Sequence, residues 1–152
     1  MKILIADDNP VFRHVLEKML TNWGYDVKVA HDGSEAWQLL QREDRPPVAI
    51  LDWMMPGISG IDVCSRVRAS SFSHLTYVLI LTARPESADL ETAMAAGADD
   101  YVTKPFKSPE LRTRVRNACE LLDLRARAAY GRFLEDGAAG HKPETFAGPE
   151  LN

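Results

Sequence analysis

VAILDWMMPG, residues 48–57, is the stretch that decides the fold of this 152-residue chain. The four apolar residues 48–51 run directly into a single carboxylate, Asp52, and the pattern then breaks at residues 55–57. A continuous apolar run that ends at turn residues is typical of a parallel strand buried on both faces. Asp52 is therefore predicted to end a central strand, and in open α/β sheets the crevice beyond such strand ends is where ligands bind.

Four further strands are predicted around this one, at residues 3–6, 25–30, 76–81 and 100–103. The segments between them carry apolar residues at helical spacing, as in the stripe that includes Phe12 and Leu16. The pair Asn9-Pro10 is typical of a helix start, and a fourth helix is predicted over residues 85–96. Because parallel strands need long crossover connections, five strands alternating with five helices indicate a doubly wound α/β sheet.

The last predicted helix keeps one apolar face as far as Leu122, and Arg125 then interrupts that face. Glycine and proline become frequent near the end of the chain. We therefore predict one domain at residues 1–122, a helical extension or linker at 123–136 and a disordered tail at 137–152. Thirty residues are too few for an effector domain, so we expect either a stand-alone module or a piece of a longer protein.

The overall composition is that of an average globular protein, with 45% hydrophobic and 26% charged residues and a formal net charge of -4. This charge argues against direct nucleic-acid binding. The longest clean apolar run, residues 77–81, is far shorter than the roughly 20 residues that span a membrane. The two cysteines, Cys64 and Cys119, lack metal-ligand spacing and fit a reducing compartment. We therefore expect a cytoplasmic protein without a membrane partner.

Polar side chains follow four of the predicted strands at their carboxyl ends, namely Asp7 and Asp8, Asp52, Thr82 and Lys104. Three carboxylates placed together repel one another, and the cluster needs a compensating cation. Oxygen-only ligands favour a hard ion such as Mg²⁺ or Mn²⁺, and Lys104 supplies a fixed second positive charge. This set suits phosphoryl transfer to a carboxylate, with Asp52 as nucleophile and with Lys104 and Thr82 binding the phosphoryl oxygens.

The chain resembles the receiver domain of two-component response regulators, of the chemotaxis-regulator type, over residues 1 to about 122. The resemblance is carried by five segments in the order in which the family has them, ILIADDNP, DGSEAW, ILDWMMPGISG, LILTAR and AMAAGADDYVTKPF. It implies a flavodoxin-like five-stranded parallel sheet of order 2-1-3-4-5 with five helices, the last of them extended.

The resemblance also implies the roles of the site residues. Asp52 would be phosphorylated by a sensor histidine kinase or a histidine phosphotransfer protein. Asp8, Asp52 and the backbone carbonyl of Met54 would hold the metal, with Asp7 assisting through water. The Lys104–Pro105 peptide bond would be cis. No enzymatic activity beyond self-phosphorylation and autodephosphorylation is implied.

Phosphorylation adds about -1.5 to -2 charge at Asp52, and Thr82 can move to bond the new oxygens. In the family the aromatic residue at the position of Tyr101 then turns inward. We therefore expect the surface formed by the fourth helix, fifth strand and fifth helix, about residues 86–122, to switch for partner binding or homodimerisation. Met54 and Arg84 flank the path of the hydrolytic water in receivers, so we expect them to lengthen the phosphoryl lifetime.

Two other functions also fit parts of the pattern. A haloacid-dehalogenase-like phosphohydrolase uses an aspartyl phosphate as well, but it carries its nucleophile first in a D-x-D sequence, whereas Asp52 is followed by Trp53 and Met54. A flavin-binding flavodoxin-like protein would need a phosphate-cradling loop after the first strand. Asp7 and Asp8 stand there instead, and they would repel a flavin phosphate.

Overall fold

The computed structural model describes residues 1–83 and 86–140. Over this part of the chain, five strands alternate with five α-helices. The strands are β1 (Lys2–Ala6), β2 (Asp26–Ala30), β3 (Val48–Asp52), β4 (Tyr77–Thr82) and β5 (Asp100–Thr103). The helices are α1 (Pro10–Asn22), α2 (Gly33–Leu40), α3 (Gly60–Arg68), α4 (Ser87–Ala95) and α5 (Ser108–Gly140), and a short 3-10 helix at Ser73–Leu75 precedes β4.

The strands form one parallel sheet in the order β2-β1-β3-β4-β5, which confirms the predicted flavodoxin-like architecture. Strand β3 is central and buried along its whole length, as its apolar run predicted. In register, Asp52 lies opposite Leu81, the residue before Thr82. The carboxyl ends of β3 and β4 therefore present Asp52 and Thr82 at the same edge of the sheet.

Local sequence determines where the helices beside this edge begin. The side chain of Asn9 accepts hydrogen bonds from the backbone N–H groups of Val11 and Phe12, so α1 starts directly after the acidic pair. A capping box formed by Ser59 and Asp62 starts α3. A Cβ atom added at Gly60 would clash with the carbonyl oxygen of Asp52, so only glycine allows α3 to start this close to the end of β3.

Two predicted boundaries need correction. Helix α4 begins at Ser87, with Glu86 as its N-cap, whereas the predicted first residue, Pro85, lies outside the described residues. Helix α5 continues to Gly140, so residues 137–140, predicted to belong to a disordered tail, are helical. The alanines and leucines of this segment favour a helix, although the helix also contains three glycines, which disfavour it. The rest of the predicted tail, residues 141–152, lies outside the described part of the chain.

The chain divides into two compact units, the first covering Met1–Cys119 and the second beginning at Glu120. The first unit contains the sheet and the predicted site. The described part of the second unit is helical, and it exposes several large apolar side chains, Leu121, Leu124, Tyr130, Phe133 and Leu134. The domain limit predicted near residue 122 remains a proposal. Among the described helices, none is both long and apolar enough to cross a bilayer.

Candidate functional site

The sheet brings the predicted site residues together at the carboxyl ends of its strands. Asp7 follows β1 and is 1% exposed, Asp52 ends β3 and is 7% exposed, and Thr82 ends β4 and is 1% exposed. Lys104 follows β5, and its backbone N–H donates a 2.6 Å hydrogen bond to the carbonyl of Thr82. Buried polar groups at a strand edge are uncommon unless they are paired or functional.

Three carboxylates form the acidic part of this site. One oxygen from each of Asp7, Asp8 and Asp52 lies within 4.8 Å of the other two, with Asp8 exposed and the other two buried. Such a set of hard oxygen donors on one side of a crevice fits Mg²⁺ or Mn²⁺, which prefer carboxylates and keep several waters. Asp7 is held in place because the backbone N–H of Asn9 donates to its Oδ1 at 2.8 Å.

Lys104 is the cation of the site, as its position after β5 predicted. Its Nζ donates to Asp7 Oδ2 at 3.0 Å and to Asp52 Oδ1 at 3.1 Å, with the lysine side chain 21% exposed. A single ammonium therefore bridges two of the three carboxylates. Among the residues that the structure describes, this leaves the site with an excess of negative charge that a divalent cation would offset.

The negative charge of the site contributes to a raised pKa of the Asp52 carboxyl. Burial and, to a smaller extent, the neighbouring Asp7 charge together raise the pKa of the Asp52 carboxyl to about 6, while Lys104 acts in the opposite direction. A carboxylate with a pKa near 6 is still mostly ionised at neutral pH. Asp52 is thus an available oxygen nucleophile in a partly desolvated crevice.

The remaining predicted residues differ in how far the structure describes them. The Lys104–Pro105 peptide bond is cis, as the resemblance implied. The side chain of Met54 is 60% exposed, two residues after Asp52. The Tyr101 ring is half-buried and packs edge-to-face on Trp53, with ring centroids 6.4 Å apart and an interplanar angle of 88°. Arg84 lies outside the described residues.

Two aromatic residues at this site were not predicted to belong to it. The Lys104 Nζ lies 4.0 Å from the centroid of the Phe12 ring, and Phe12 in turn packs edge-to-face on Phe106 at 5.8 Å. The sequence places Phe12 in an apolar helical stripe, which is the pattern of an ordinary core residue. The proximity of Phe106 to Lys104 along the chain was a signal for a role at the site, but the contact with Phe12 depends on the tertiary structure.

Comparison with known proteins identifies related sequences. The sequence profile described as response regulator receiver domain matches residues 3–116. The DNA-binding response regulator MtrA of Mycolicibacterium smegmatis is 44% identical over 115 residues, which are 76% of this chain and 49% of that protein. The phosphate regulon transcriptional regulatory protein PhoB of Rhizobium meliloti is 41% identical over 115 residues, 76% of this chain and 50% of that protein. The chain thus spans about half the length of these curated relatives.

Solved structures agree with the sequence relatives. A response regulator from Chloroflexus aurantiacus is 37% identical and has a TM-score of 0.72, with 77% of this chain and 95% of that chain covered. The receiver domain of a sensor histidine kinase from Pseudomonas aeruginosa is 33% identical with a TM-score of 0.70, covering 76% and 94%, and that structure has a magnesium ion coordinated in its active-site cleft.

The same relatives bear on two expectations. Their names describe regulators, and they lend no support to the phosphohydrolase alternative. The expectation against direct nucleic-acid binding also gains no support, because MtrA is named as DNA-binding. Net charge was a poor basis for that expectation, since it describes only the given chain and not a longer protein that contains it.

Proposed function

Since the chain belongs to the response regulator receiver domain family, we propose that Asp52 accepts a phosphoryl group from a sensor histidine kinase or a histidine phosphotransfer protein. The observation that carries the proposal is the position of Lys104, whose Nζ lies 3.1 Å from Asp52 Oδ1 beside the carboxylates of Asp7 and Asp8. A nucleophilic carboxylate, a fixed cation and hard oxygen ligands for a divalent cation are the parts that phosphoryl transfer needs.

The transfer moves one phosphoryl group from the imidazole nitrogen of the donor histidine to a carboxylate oxygen of Asp52. An Asp52 oxygen attacks the phosphorus of the donor phosphohistidine, the P–N bond breaks, and its electron pair returns to the imidazole nitrogen as the new P–O bond forms. Lys104 turns its ammonium toward the incoming phosphoryl oxygens, and the hydroxyl of Thr82 donates to another of them. Asp8, Asp52 and the Met54 carbonyl, with Asp7 assisting through water, would hold Mg²⁺ or Mn²⁺, which would neutralise charge on these oxygens.

Output would follow from the charge added at Asp52. Thr82 moves to bond the phosphoryl oxygens, Tyr101 shifts further inward, and the surface of α4, β5 and the start of α5 changes for partner binding or homodimerisation. The exposure of Leu90 and Met94 on α4 supports an interaction role for this surface. Amide NMR shifts that stay unchanged there on addition of beryllofluoride and Mg²⁺ would contradict the switch.

The phosphoryl lifetime is proposed to depend on Met54 and Arg84. The Met54 side chain is exposed and follows the phosphoacceptor by two residues in the sequence. A bulky apolar group at Met54 and a long cation at Arg84 would both restrict access of water to the phosphorus. We also propose self-phosphorylation and autodephosphorylation as the chain's own reactions. The proposed location is the cytoplasm, where the chain would meet its phosphoryl donor.

The direct test is labelling of the Asp52→Asn variant. Wild-type protein with Mg²⁺ and acetyl phosphate or a phosphorylated kinase domain should gain one phosphoryl group by intact-mass spectrometry. Asp52→Asn should gain none while its circular dichroism stays native, and Asp26→Asn, an exposed acid on β2, should label like the wild type. Stoichiometric labelling of Asp52→Asn would show that the phosphoacceptor lies elsewhere.

A further inference from the structure

Lys104 is held by an aromatic ring as well as by carboxylates. Its Nζ lies 4.0 Å from the centroid of the Phe12 ring, well inside the roughly 6 Å over which an ammonium is attracted to the negative face of an aromatic ring. The Lys104 side chain is 21% exposed, so this attraction acts in a partly desolvated crevice where it is less screened than at an open surface.

The Phe12 ring is itself held from two sides. Phe12 lies in the first turn of α1, whose start is fixed by the Asn9 cap immediately after the acidic pair. Phe106, two residues after Lys104, packs on the ring with centroids 5.8 Å apart and an interplanar angle of 85°, the edge-to-face arrangement that aromatic pairs prefer. The ring therefore connects α1 to the loop that carries Lys104.

The ring differs from the other two partners of the ammonium in one chemical respect. Asp7 and Asp52 are carboxylates that would also bind the divalent cation, and Asp52 is the group that reacts. When Asp52 is phosphorylated, its oxygen is no longer a free anionic partner for Lys104. The Phe12 ring does not ionise, is not a ligand for the divalent cation and does not react. Its contact with Lys104 can therefore persist from the free state through the transfer.

From this geometry we infer that Phe12 is a positioning residue for phosphoryl transfer. Its ring holds the Lys104 ammonium, by a cation–π contact, at the position where the ammonium contacts the phosphoryl oxygens. This inference rests on the proposed function, since it concerns the rate at which Asp52 takes up its phosphoryl group. A lysine has four flexible side-chain bonds, and an ammonium that loses one of three fixed contacts samples positions away from the reacting oxygens.

The test is a series of fluorinated phenylalanines at position 12. One, two and three ring fluorines weaken the negative face of the ring in steps while changing its size little. We expect the rate constant for labelling by acetyl phosphate with Mg²⁺ to fall stepwise along the series, by about 3- to 10-fold in total. Phe12→Trp should label at or near the wild-type rate and Phe12→Leu should be slower than the trifluorinated protein.

Phe72 offers a matched control. It also carries a cation over its ring, the Arg45 guanidinium at 4.1 Å, but it lies away from the site. The same fluorine series at Phe72 should leave the labelling rate unchanged, which separates a local cation–π effect from a general loss of stability. A second readout needs no phosphorylation, because the Lys104 ε-protons should show an upfield NMR ring shift that Phe12→Leu removes and Phe12→Trp keeps.

The outcomes separate this inference from the function on which it rests. A wild-type protein that labels at Asp52 together with a flat fluorine series at position 12 overturns the positioning role alone. A fall of equal size in the Phe72 series does so as well. A wild-type protein that takes up no phosphoryl group at Asp52 overturns the proposed function and the positioning role together.

Discussion

Arg68 at the end of α3 donates a 2.5 Å hydrogen bond from Nη2 to Oδ2 of Asp99, the residue before β5. The same guanidinium donates to the carbonyls of Gly97 at 2.6 Å, Ser73 at 2.6 Å and Thr76 at 2.9 Å. One side chain thus joins α3, the turn before β4 and the loop after α4. Asp99 is fixed further because it accepts the backbone N–H of Val78 in β4 at 2.9 Å.

Replacement of Arg68 by methionine should destabilise the fold strongly. It removes four hydrogen bonds and leaves the largely buried Asp99 carboxylate without its guanidinium, which typically costs about 3–5 kcal/mol. Urea unfolding measures this loss. Arg66 is an exposed residue on the same helix, and Arg66→Met should change stability by no more than about 0.5 kcal/mol. Similar losses in both variants would contradict the role of Arg68 in joining α3 to the neighbouring loops.

Asp52→Asn should be more stable than the wild type when divalent cations are chelated. Because the pKa of Asp52 is raised to about 6, the folded state binds more protons than the unfolded state between about pH 4 and pH 6, and wild-type stability falls as pH rises through that window. Above it, the variant should gain about 3 kcal/mol by removing the buried charge. Urea titrations at pH 4.5 and pH 8 measure this gain, and an equal difference at both values would contradict it.

Divalent cation binding should depend on the acidic cluster. Asp8→Asn should weaken Mg²⁺ binding by about 10-fold or more, since it removes one of three hard oxygen donors. Trp53, buried directly after Asp52, is a fluorescence reporter for the titration. Asp26→Asn should bind Mg²⁺ like the wild type. Unchanged affinity in Asp8→Asn would exclude Asp8 as a ligand.

The phosphoryl lifetime should shorten in a Met54→Ala, Arg84→Ala variant. Loss of the apolar group and the long cation opens a path for water to the phosphorus. Decay of the phosphorylated species, followed by intact mass after donor removal, compares this variant with the wild type. Equal or slower dephosphorylation in the double variant would count against a role of these two residues in the lifetime. The two single variants show how much each residue contributes to the change in rate.

Gly60→Ala should disturb both stability and labelling. An added Cβ would press on the backbone carbonyl of Asp52, which joins the start of α3 to the end of β3. We expect a loss of about 1–3 kcal/mol and slower labelling of Asp52. Gly131→Ala, where nothing lies near an added Cβ, should instead leave labelling unchanged. Native stability in Gly60→Ala would show that the loop can relax.

Local patterns in the sequence were sufficient for the sheet and for most of the site. The apolar run before Asp52 predicted a central strand because such a run cannot remain exposed on either face. The cap at Asn9 predicted the start of α1, and the structure confirms it. Convergence of Asp7, Asp8 and Asp52 followed from the rule that parallel strands end at the same edge of a sheet.

Boundaries and long-range contacts were less predictable. The start of α4 and the end of α5 were placed wrongly because proline and glycine are only weak local signals for where a helix begins or ends. The contact between Arg68 and Asp99 joins residues 31 positions apart, and no periodicity in the sequence indicates it.

The sequence by itself determined the doubly wound five-stranded α/β architecture, the acidic residues at the strand ends and the cation that follows β5, because these depend on hydrophobic periodicity and on turn chemistry within a few residues. The strand order followed instead from the resemblance to receiver domains. Only the tertiary structure decided that Lys104 bridges Asp7 and Asp52 and rests on the ring of Phe12. That arrangement depends on where the loop after β5 meets the first turn of α1, and packing between segments about 90 residues apart sets this meeting point.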